Sequence, residues 1–186
     1  MRVIAGTARS LQLKTIDSMD TRPTTDRIKE TLFNMIQFQV PGIDFLDIFA
    51  GSGSIGIEAL SRGSKRAVFI ENNMKAARVI EENLEHTGFT DRSLVLSSEC
   101  LSALTRLNDK DYHFNIVFMD PPYNKGLERK AMQLIRTMKY IDENTTFIIE
   151  ADIQDDFVDE IESYGYELIR EKTYKTNKHV FFRIKK

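Results

Sequence analysis

The tetrapeptide Asp120-Pro121-Pro122-Tyr123 is the part of the sequence whose residue types most clearly predict chemistry. It follows the apolar run 115–119, and its prolines end that run in a rigid extended turn. In such a turn the Asp120 carboxylate and the Pro121 carbonyl can both accept hydrogen bonds from one amino group, whose lone pair then faces an approaching electrophile. The Tyr123 ring offers a surface for an extruded base. We therefore predict that these four catalytic residues hold an exocyclic amine for methylation.

A second segment, 45–56, has the pattern of an apolar strand, a glycine turn and a helix start. Gly51 and Gly53 let the backbone approach a ligand closely, and Gly56 permits tight packing of the helix on the strand. Glu71 lies twenty residues after Gly51, so the spacing also meets the dinucleotide-binding fingerprint. The glycines alone leave two nucleoside cofactors open, S-adenosylmethionine and NAD.

Asp47 favours the first of these cofactors. A carboxylate within an apolar strand is costly unless donors or a cation satisfy it. S-adenosylmethionine carries an ammonium and a sulfonium, whereas a dinucleotide presents a pyrophosphate that an acid would disfavour. Glu71 can accept hydrogen bonds from ribose hydroxyls of either cofactor. Glu99 can accept one from an adenine amino group, although helix capping by Ser97 or Ser98 explains the same local sequence.

The elements around these loops predict an α/β fold. Two short strands in 2–5 and 11–15 form a hairpin, and Thr24 or Thr25 caps a helix that ends before Pro41-Gly42. Apolar strands then alternate with amphipathic helices, which is typical of a parallel sheet covered on both faces. The predicted strands are 44–49, 67–71, 93–96, 115–119 and 145–150, and the predicted helices are 54–62, 73–86, 99–107, 127–138 and 155–164. Strands 166–173 and 179–184 follow as an antiparallel hairpin at the sheet edge, which makes a seven-stranded, mostly parallel, Rossmann-like sheet.

Length and composition narrow the function classes. The 186 residues, 41% hydrophobic and 29% charged, suit one globular domain: 1–40 as an N-terminal extension and 41–186 as a catalytic sheet. A long apolar span and a signal-like N-terminus are both absent, so we expect a cytoplasmic protein. The single cysteine, Cys100, cannot form an internal disulfide, and the three histidines lack metal-ligand spacing, so no metal is expected.

Charge is unevenly distributed along a chain of net charge −2. Residues 141–165 hold nine acids and no lysine or arginine, so this segment would repel phosphate. The basic residues of the first part of the chain are instead expected to include several that face the mouth of the pocket. The basic residues from which these several are expected are Arg2, Arg9, Lys14, Arg22, Arg27 and Lys29.

Four segments together resemble the RsmD family of class I S-adenosylmethionine-dependent methyltransferases, which methylate a guanine 2-amino group of bacterial 16S ribosomal RNA. They are FLDIFAGSGSIGIEALSRG, VFIENN, NIVFMDPPY and RPTTDRIKETLFN, and the last is the most selective. The resemblance implies S-adenosylmethionine as cofactor. With the loop reasoning, it gives a cofactor set of Asp47, Phe49, Gly51, Ser52, Gly53, Glu71, Asn72, Glu99, Cys100 and Asp120.

The resemblance also implies the partner, 16S ribosomal RNA in a partly assembled small subunit. The sequence does not determine the oligomeric state, and a monomer is the favoured expectation. The predicted RNA-binding residues are Arg2, Arg9, Arg22, Thr24 and Arg27. After Gly6 the family typically has an aromatic residue and a basic run, whereas this chain keeps Arg9 and lacks the basic pair after it. The hairpin is therefore expected to contribute less to RNA binding.

Three other functions share parts of this pattern. A DNA adenine methyltransferase shares Asp-Pro-Pro-Tyr, but reading DNA sequence normally takes a separate recognition region. A cytosine ring-carbon methyltransferase needs a cysteine nucleophile, yet Cys100 has no proline before it. An NAD-dependent oxidoreductase, or an inactive cofactor-binding scaffold, would leave Asp120 without a task.

Overall fold

A seven-stranded mixed sheet forms the centre of the protein. The computed structural model describes residues 1–16, 26–122, 126–155 and 157–186. The strand order is β3-β2-β1-β4-β5-β7-β6, with β1 to β5 parallel and β7 antiparallel to both β5 and β6. The strands are β1 (Asp44–Ile48), β2 (Arg66–Glu71), β3 (Ser93–Ser97), β4 (Phe114–Met119), β5 (Thr146–Asp152), β6 (Tyr166–Thr173) and β7 (Asn177–Ile184). The predicted fold class is confirmed, including the C-terminal hairpin.

Helices pack on both faces of this sheet. They are α1 (Asp26–Ile36), α2 (Ser54–Ser61), α3 (Met74–Thr87), α4 (Cys100–Leu107), α5 (Leu127–Ile135) and α6 (Phe157–Glu160), with a 3₁₀ turn at Thr90–Arg92. Asn73 caps α3 by accepting from the backbone N–H groups of Lys75 and Ala76, and Gly88 ends α3 at a positive φ of 74°. In the described part of the chain, each helix is too short or too polar to cross a membrane.

Two predicted helices are shorter in the structure. Helix 127–138 ends at Ile135, after which Thr137 and Met138 donate to carbonyls three residues back, as in a tightened turn. Helix 155–164 is reduced to one turn, α6. Glu160 and Glu162 lie where a longer helix would have its negative dipole end, and Gly165, at φ 78°, turns the chain into β6.

The central strands are buried on both faces. One core lies between the sheet and helices α4 and α5, and includes Ile48, Leu104 and Phe147. The other includes Phe45, Phe69 and residues of α1, α2 and α3. All five residues of β1 are buried, which explains why this strand reads as an apolar run broken only by Asp44 and Asp47.

The N-terminal segment makes a smaller hairpin than predicted. Its only strand pairing is a single antiparallel bridge between Arg2 and Gln12 in the described residues 1–16. Helix α2 also holds the segment, because the Glu58 carboxylate accepts from the backbone N–H groups of Ile4 at 2.7 Å and Ala5 at 3.0 Å. The predicted cap by Thr24 or Thr25 lies outside the described residues.

Glu58 also neutralises a buried lysine. Lys29 on α1 is fully buried, with its ammonium 3.8 Å from Glu58 and donating to the Arg2 carbonyl at 2.7 Å. Burial lowers the pKa of Lys29, while the Glu58 charge opposes that effect. Lys29 is thus a structural residue and is not among the basic residues that can face the pocket.

We expect Glu58→Ala to lower the free energy of unfolding by about 3–5 kcal/mol, because it leaves the Lys29 charge and two backbone donors without their partner. Urea unfolding measures the change. Glu82→Ala, which breaks the exposed pair between Glu82 and Lys14, is the matched control and should cost about 1 kcal/mol or less. Equal losses in the two variants would contradict the role of Glu58.

Candidate active site

The strand order reverses between β1 and β4, and ligands of open α/β sheets bind beyond the carboxyl ends of the strands at such a point. Ile48 pairs with Ile70 on one side and with Met119 on the other. The loops after β1, β2 and β4 therefore leave the sheet side by side. These loops carry the predicted residues Phe49, Glu71 and Asp120.

The loop after β1 takes a sharp path. Phe49 has a positive φ of 64°, a conformation that is unfavourable for a residue with a bulky side chain and that often occurs at functional sites. Gly51 and Gly53 also have positive φ, 56° and 76°. A Cβ at Gly51 would meet no atom within 4 Å, so space is open beside this backbone. The half-buried Ser52 between them has its carbonyl held by Asn83 at 3.0 Å.

Gly56 and Asp47 fix the start of α2 on the sheet. A Cβ at Gly56 would lie 2.3 Å from Cε1 of Phe69, so only glycine allows the predicted close packing. Asp47 is 1% exposed, and its Oδ2 accepts from the Gly56 N–H at 2.9 Å. Burial, and to a smaller degree the charge of Glu71, raise the pKa of Asp47 to about 8 although the Gly56 hydrogen bond opposes the shift. Asp47 is therefore largely protonated at neutral pH.

Glu71 joins two of the loops. Its carboxylate accepts from the Gly51 N–H at 2.8 Å through Oε2 and from the Asn73 N–H at 2.8 Å through Oε1. Each oxygen keeps a further lone pair for a hydroxyl. The side chain thus positions the glycine loop as well as offering an acceptor, while its neighbour Asn72 is exposed.

The loop after β3 differs from the prediction in its cap. Glu99 itself is the N-cap of α4, and its carboxylate accepts from the Ser102 N–H at 3.0 Å; capping by Ser97 or Ser98 is wrong. Glu99 is exposed and can still meet a ligand. Cys100 follows with a buried side chain, and burial raises the pKa of its thiol to about 12. A protonated, buried thiol is a poor nucleophile.

The loop after β4 begins with Asp120. Its N–H lies 3.4 Å from the Ile48 carbonyl, Pro121 is buried and Pro122 is exposed. Tyr123 lies outside the described residues. Burial, with the nearby charges of Glu150 and Asp47, raises the pKa of Asp120 well above its ordinary value.

Asn83 and Glu150 are functional candidates that the sequence reasoning missed. Asn83 lies in the buried stripe of α3; its side-chain amide donates to the carbonyls of Ser52 and Lys14, and its Oδ1 accepts from the Lys14 N–H. Glu150 is a buried acid in an apolar strand. Polar residues in apolar patterns were the available signal in both cases, as they were for Asp47.

The predicted RNA-binding residues are only partly described. Arg9 and Arg27 are exposed, and the exposed Arg2 side chain pairs with Asp26 at 3.0 Å. Arg22 and Thr24 lie outside the described residues.

The electrostatics of the pocket favour a cationic ligand. Asp47, Glu71 and Asp120 lie within one loop cluster, and among the described residues the charges that act on Asp47 and Asp120 are other carboxylates. A bound ammonium or sulfonium would relieve that repulsion, whereas a pyrophosphate would add to it. Together with the fold, this set of carboxylates fits S-adenosylmethionine and defines a class I S-adenosylmethionine-dependent methyltransferase.

Comparisons with known proteins agree with this class. The family model described as Conserved hypothetical protein 95 matches residues 1–183. The chain is 33% identical to Ribosomal RNA small subunit methyltransferase D of Haemophilus influenzae, over 93% of this chain and 88% of that protein. The chain belongs to this family, the RsmD family.

Solved structures show the same fold. The structure of the Escherichia coli protein yhhF, named as a methyltransferase, superposes with a TM-score of 0.82 at 30% identity, over 100% of this chain and 98% of that one. An O-methyltransferase from Bacillus cereus in complex with SAH reaches a TM-score of 0.74 at 16% identity, over 90% and 84% of the two chains. S-adenosylmethionine is the cofactor of the class.

We expect Glu71→Ala to weaken S-adenosylmethionine binding by about 1.5–3 kcal/mol, because it removes a charged acceptor and releases two backbone N–H groups. Calorimetry measures the affinity. Glu71→Gln keeps one side-chain oxygen and should lose less. Binding by the alanine variant at the parent's affinity would rule out contact between Glu71 and the cofactor.

We expect cofactor affinity to rise with pH up to about 8, because a bound cation favours ionised Asp47, whose pKa in the free protein is about 8. Binding below that pH therefore releases up to one proton, which is at most about a tenfold change in Kd per pH unit. Asp47→Asn keeps an acceptor for Gly56 and should lose this part of the slope. The cofactor's own titration is common to both proteins, so equal slopes would contradict the assignment.

Proposed function

We propose that this protein transfers a methyl group from S-adenosylmethionine to the exocyclic 2-amino group of a guanine in 16S ribosomal RNA. The observation that carries the proposal is Asp120 at the carboxyl end of β4, followed by Pro121 and beside the acidic cofactor pocket. The relative from Haemophilus influenzae is named a small-subunit ribosomal RNA methyltransferase.

Two acceptors next to each other suit an amino group. The Asp120 carboxylate and the Pro121 carbonyl each accept one N–H of the amine, so its lone pair is directed toward the cofactor pocket. Pro121 is buried, its ring fixes its φ, and the following Pro122 restricts its ψ. The Pro121 carbonyl is therefore held in one orientation. The chain thus supplies orientation, and the bound cofactor supplies an electrophilic methyl carbon.

Charge and protons balance in this arrangement. A nitrogen–carbon bond forms as the sulfur–carbon bond breaks, and the sulfur keeps the electron pair. Positive charge develops on the amine, where ionised Asp120 stabilises it. The amine proton then passes to an Asp120 oxygen. A raised pKa makes the ionised Asp120 carboxylate a stronger proton acceptor.

RNA contacts are expected on the side of the N-terminal segment, where Arg9 and Arg27 are exposed. A few arginines on a chain of net charge −2 give weak, salt-sensitive binding to arbitrary RNA. Recognition then depends on shape, and a partly assembled small subunit can present one guanine in a fixed, splayed-out loop. The protein acts in this proposal as a monomer in the cytoplasm, where such subunits form.

The direct test is methyl transfer from labelled cofactor to small subunits of cells that lack the enzyme, followed by mapping of the modified base by mass spectrometry. A methylguanine labelled on the 2-amino group is expected. Duplex DNA carrying adenine is the competing substrate, because DNA adenine methyltransferases share Asp-Pro-Pro-Tyr. Efficient labelling of that DNA, or labelling of another RNA position, would refute the proposal.

We expect Asp120→Ala to lower kcat by about a hundredfold or more, because one preorganised contact to the developing charge is lost. Cofactor affinity should stay close to that of the parent, since the main role of Asp120 arises with the target amine. Single-turnover methylation and calorimetry separate the two effects. Turnover near the parent rate would reduce Asp-Pro-Pro to a structural turn.

We expect the assembled subunit to be methylated much faster than deproteinised 16S RNA, because its fixed shape lowers the cost of extruding the base. Arg9→Glu should impair methylation of the subunit and spare cofactor binding. Arg106→Glu makes the same charge change on the exposed surface of α4 and should have little effect. Equal rates on naked RNA and subunits would contradict recognition by shape.

A further inference from the structure

A row of polar side chains crosses the sheet next to Asp120. Met119 of β4 and Ile149 of β5 are the last pair of their ladder, and Asp120 and Glu150 are the residues that follow them. The charge of Glu150 acts on Asp120 across this short distance. Glu150 is in turn the partner of His179 on β7. Three titratable residues therefore occupy neighbouring strands at one level, at the end of β4 where the target amine is expected.

The side chains of this row form a hydrogen-bonded chain. His179 Nε2 lies 3.3 Å from a Glu150 oxygen, and His179 Nδ1 lies 3.0 Å from the Tyr174 hydroxyl. Asn177 donates through Nδ2 to the other Glu150 oxygen. Glu150 is 5% exposed and His179 fully buried, with the edge of its ring against Phe118. We call Glu150, His179, Tyr174 and Asn177 the β5–β7 array.

One tautomer of His179 provides hydrogen bonds to both Tyr174 and Glu150. In the tautomer that carries its proton on Nε2, the ring accepts from the Tyr174 hydroxyl at Nδ1 and donates to the Glu150 carboxylate at Nε2. Burial raises the pKa of Tyr174 to about 12, so its hydroxyl remains a donor at neutral pH. The array therefore holds a negative charge in a fixed place behind Asp120.

We propose that Glu150 is a positioning residue for methyl transfer, whose carboxylate, held by Asn177 and His179, keeps Asp120 a strong proton acceptor. The inference rests on the proposed role of Asp120. The charges that face Asp120 from the described elements are Asp47 from β1 and Glu150 from β5, with His179 of β7 behind Glu150. Of the two, Glu150 has the larger effect, and its charge opposes ionisation of Asp120, so Asp120 holds the amine proton more tightly.

A structural tie between β5 and β7 would not require this composition. The two strands already share a ladder of backbone hydrogen bonds through six residue pairs. A buried carboxylate and imidazole between them add the cost of their desolvation, which apolar residues of similar size would avoid. The Asn177 Oδ1 atom is buried as well, and it has no hydrogen-bond partner among the described residues. Charge next to Asp120 accounts for this composition, whereas strand pairing does not.

The first test is a ¹³C NMR titration of the Asp120 carboxyl group in the cofactor-free protein. We expect Glu150→Gln to lower the pKa of Asp120 by about one unit, a tenfold rise in its acid dissociation constant. Glu150→Asp should restore part of the shift. Glu167→Gln, on the exposed strand β6, is the control and should leave the pKa unchanged. An unchanged Asp120 pKa in Glu150→Gln would overturn the proposal.

The second test needs no variant of Glu150. ¹⁵N shifts of His179 in the parent protein should report a neutral ring with the proton on Nε2; a ring protonated only on Nδ1 would overturn the array. Both tests use neither RNA nor cofactor, so a wrong substrate class would leave them valid.

A third test measures the effect of Glu150 on the pH dependence of catalysis. In Glu150→Gln the acidic limb of the kcat profile should move to lower pH, and kcat at neutral pH should fall about tenfold or more with little change in KM for the cofactor. A fall in kcat with an unmoved pH profile would show a merely structural role and would overturn the proposal.

Discussion

Carboxylates that lie close together, with only other carboxylates among the described residues acting on Asp47 and Asp120, impose the main constraint on this protein. Asp47, Glu71 and Asp120 end or follow three neighbouring parallel strands, and the topology leaves them no way to separate. The fold tolerates them in two ways: backbone N–H groups satisfy Asp47 and Glu71, and burial raises the pKa values of Asp47 and Asp120, which disfavours their charged forms. A cationic ligand bound at these carboxylates would offset their mutual repulsion, so its binding would also stabilise the folded protein.

The same loops are attached to the N-terminal segment. Glu58, on the helix that starts at the glycine loop, accepts from Ile4 and Ala5. Asn83 holds Ser52 of that loop and Lys14 of the segment with one side-chain amide. The surface proposed to bind RNA and the glycine loop proposed to bind the cofactor are therefore both attached through the buried side chains of Glu58 and Asn83. A displacement of the N-terminal segment would therefore also displace the glycine loop, because buried polar contacts have few alternative partners.

The strands and the three site loops could be predicted because their signals are local. Apolar runs, Gly51 and Gly53, and the Asp120 turn each lie within a few consecutive residues. Predictions from the sequence failed where residues distant along the chain determine a side chain's surroundings. Lys29 resembles a surface lysine until α2 places Glu58 beside it, and the N-terminal segment is held by α2 as well as by its own single bridge. Glu150 reads as a strand end, and only the register with His179 reveals its neighbours.

Strand β7 lies between β5 and β6, although it is the last of the three in sequence. A nascent chain therefore releases β6 before there is a place for it on the sheet. Until residues 177–184 leave the ribosome, the edge of β5 stays open to unwanted strand pairing. His179 arrives with that strand, so Glu150 acquires its imidazole partner only in the last step of assembly. An enzyme proposed to act on ribosomes thus completes its own site as its synthesis on a ribosome ends.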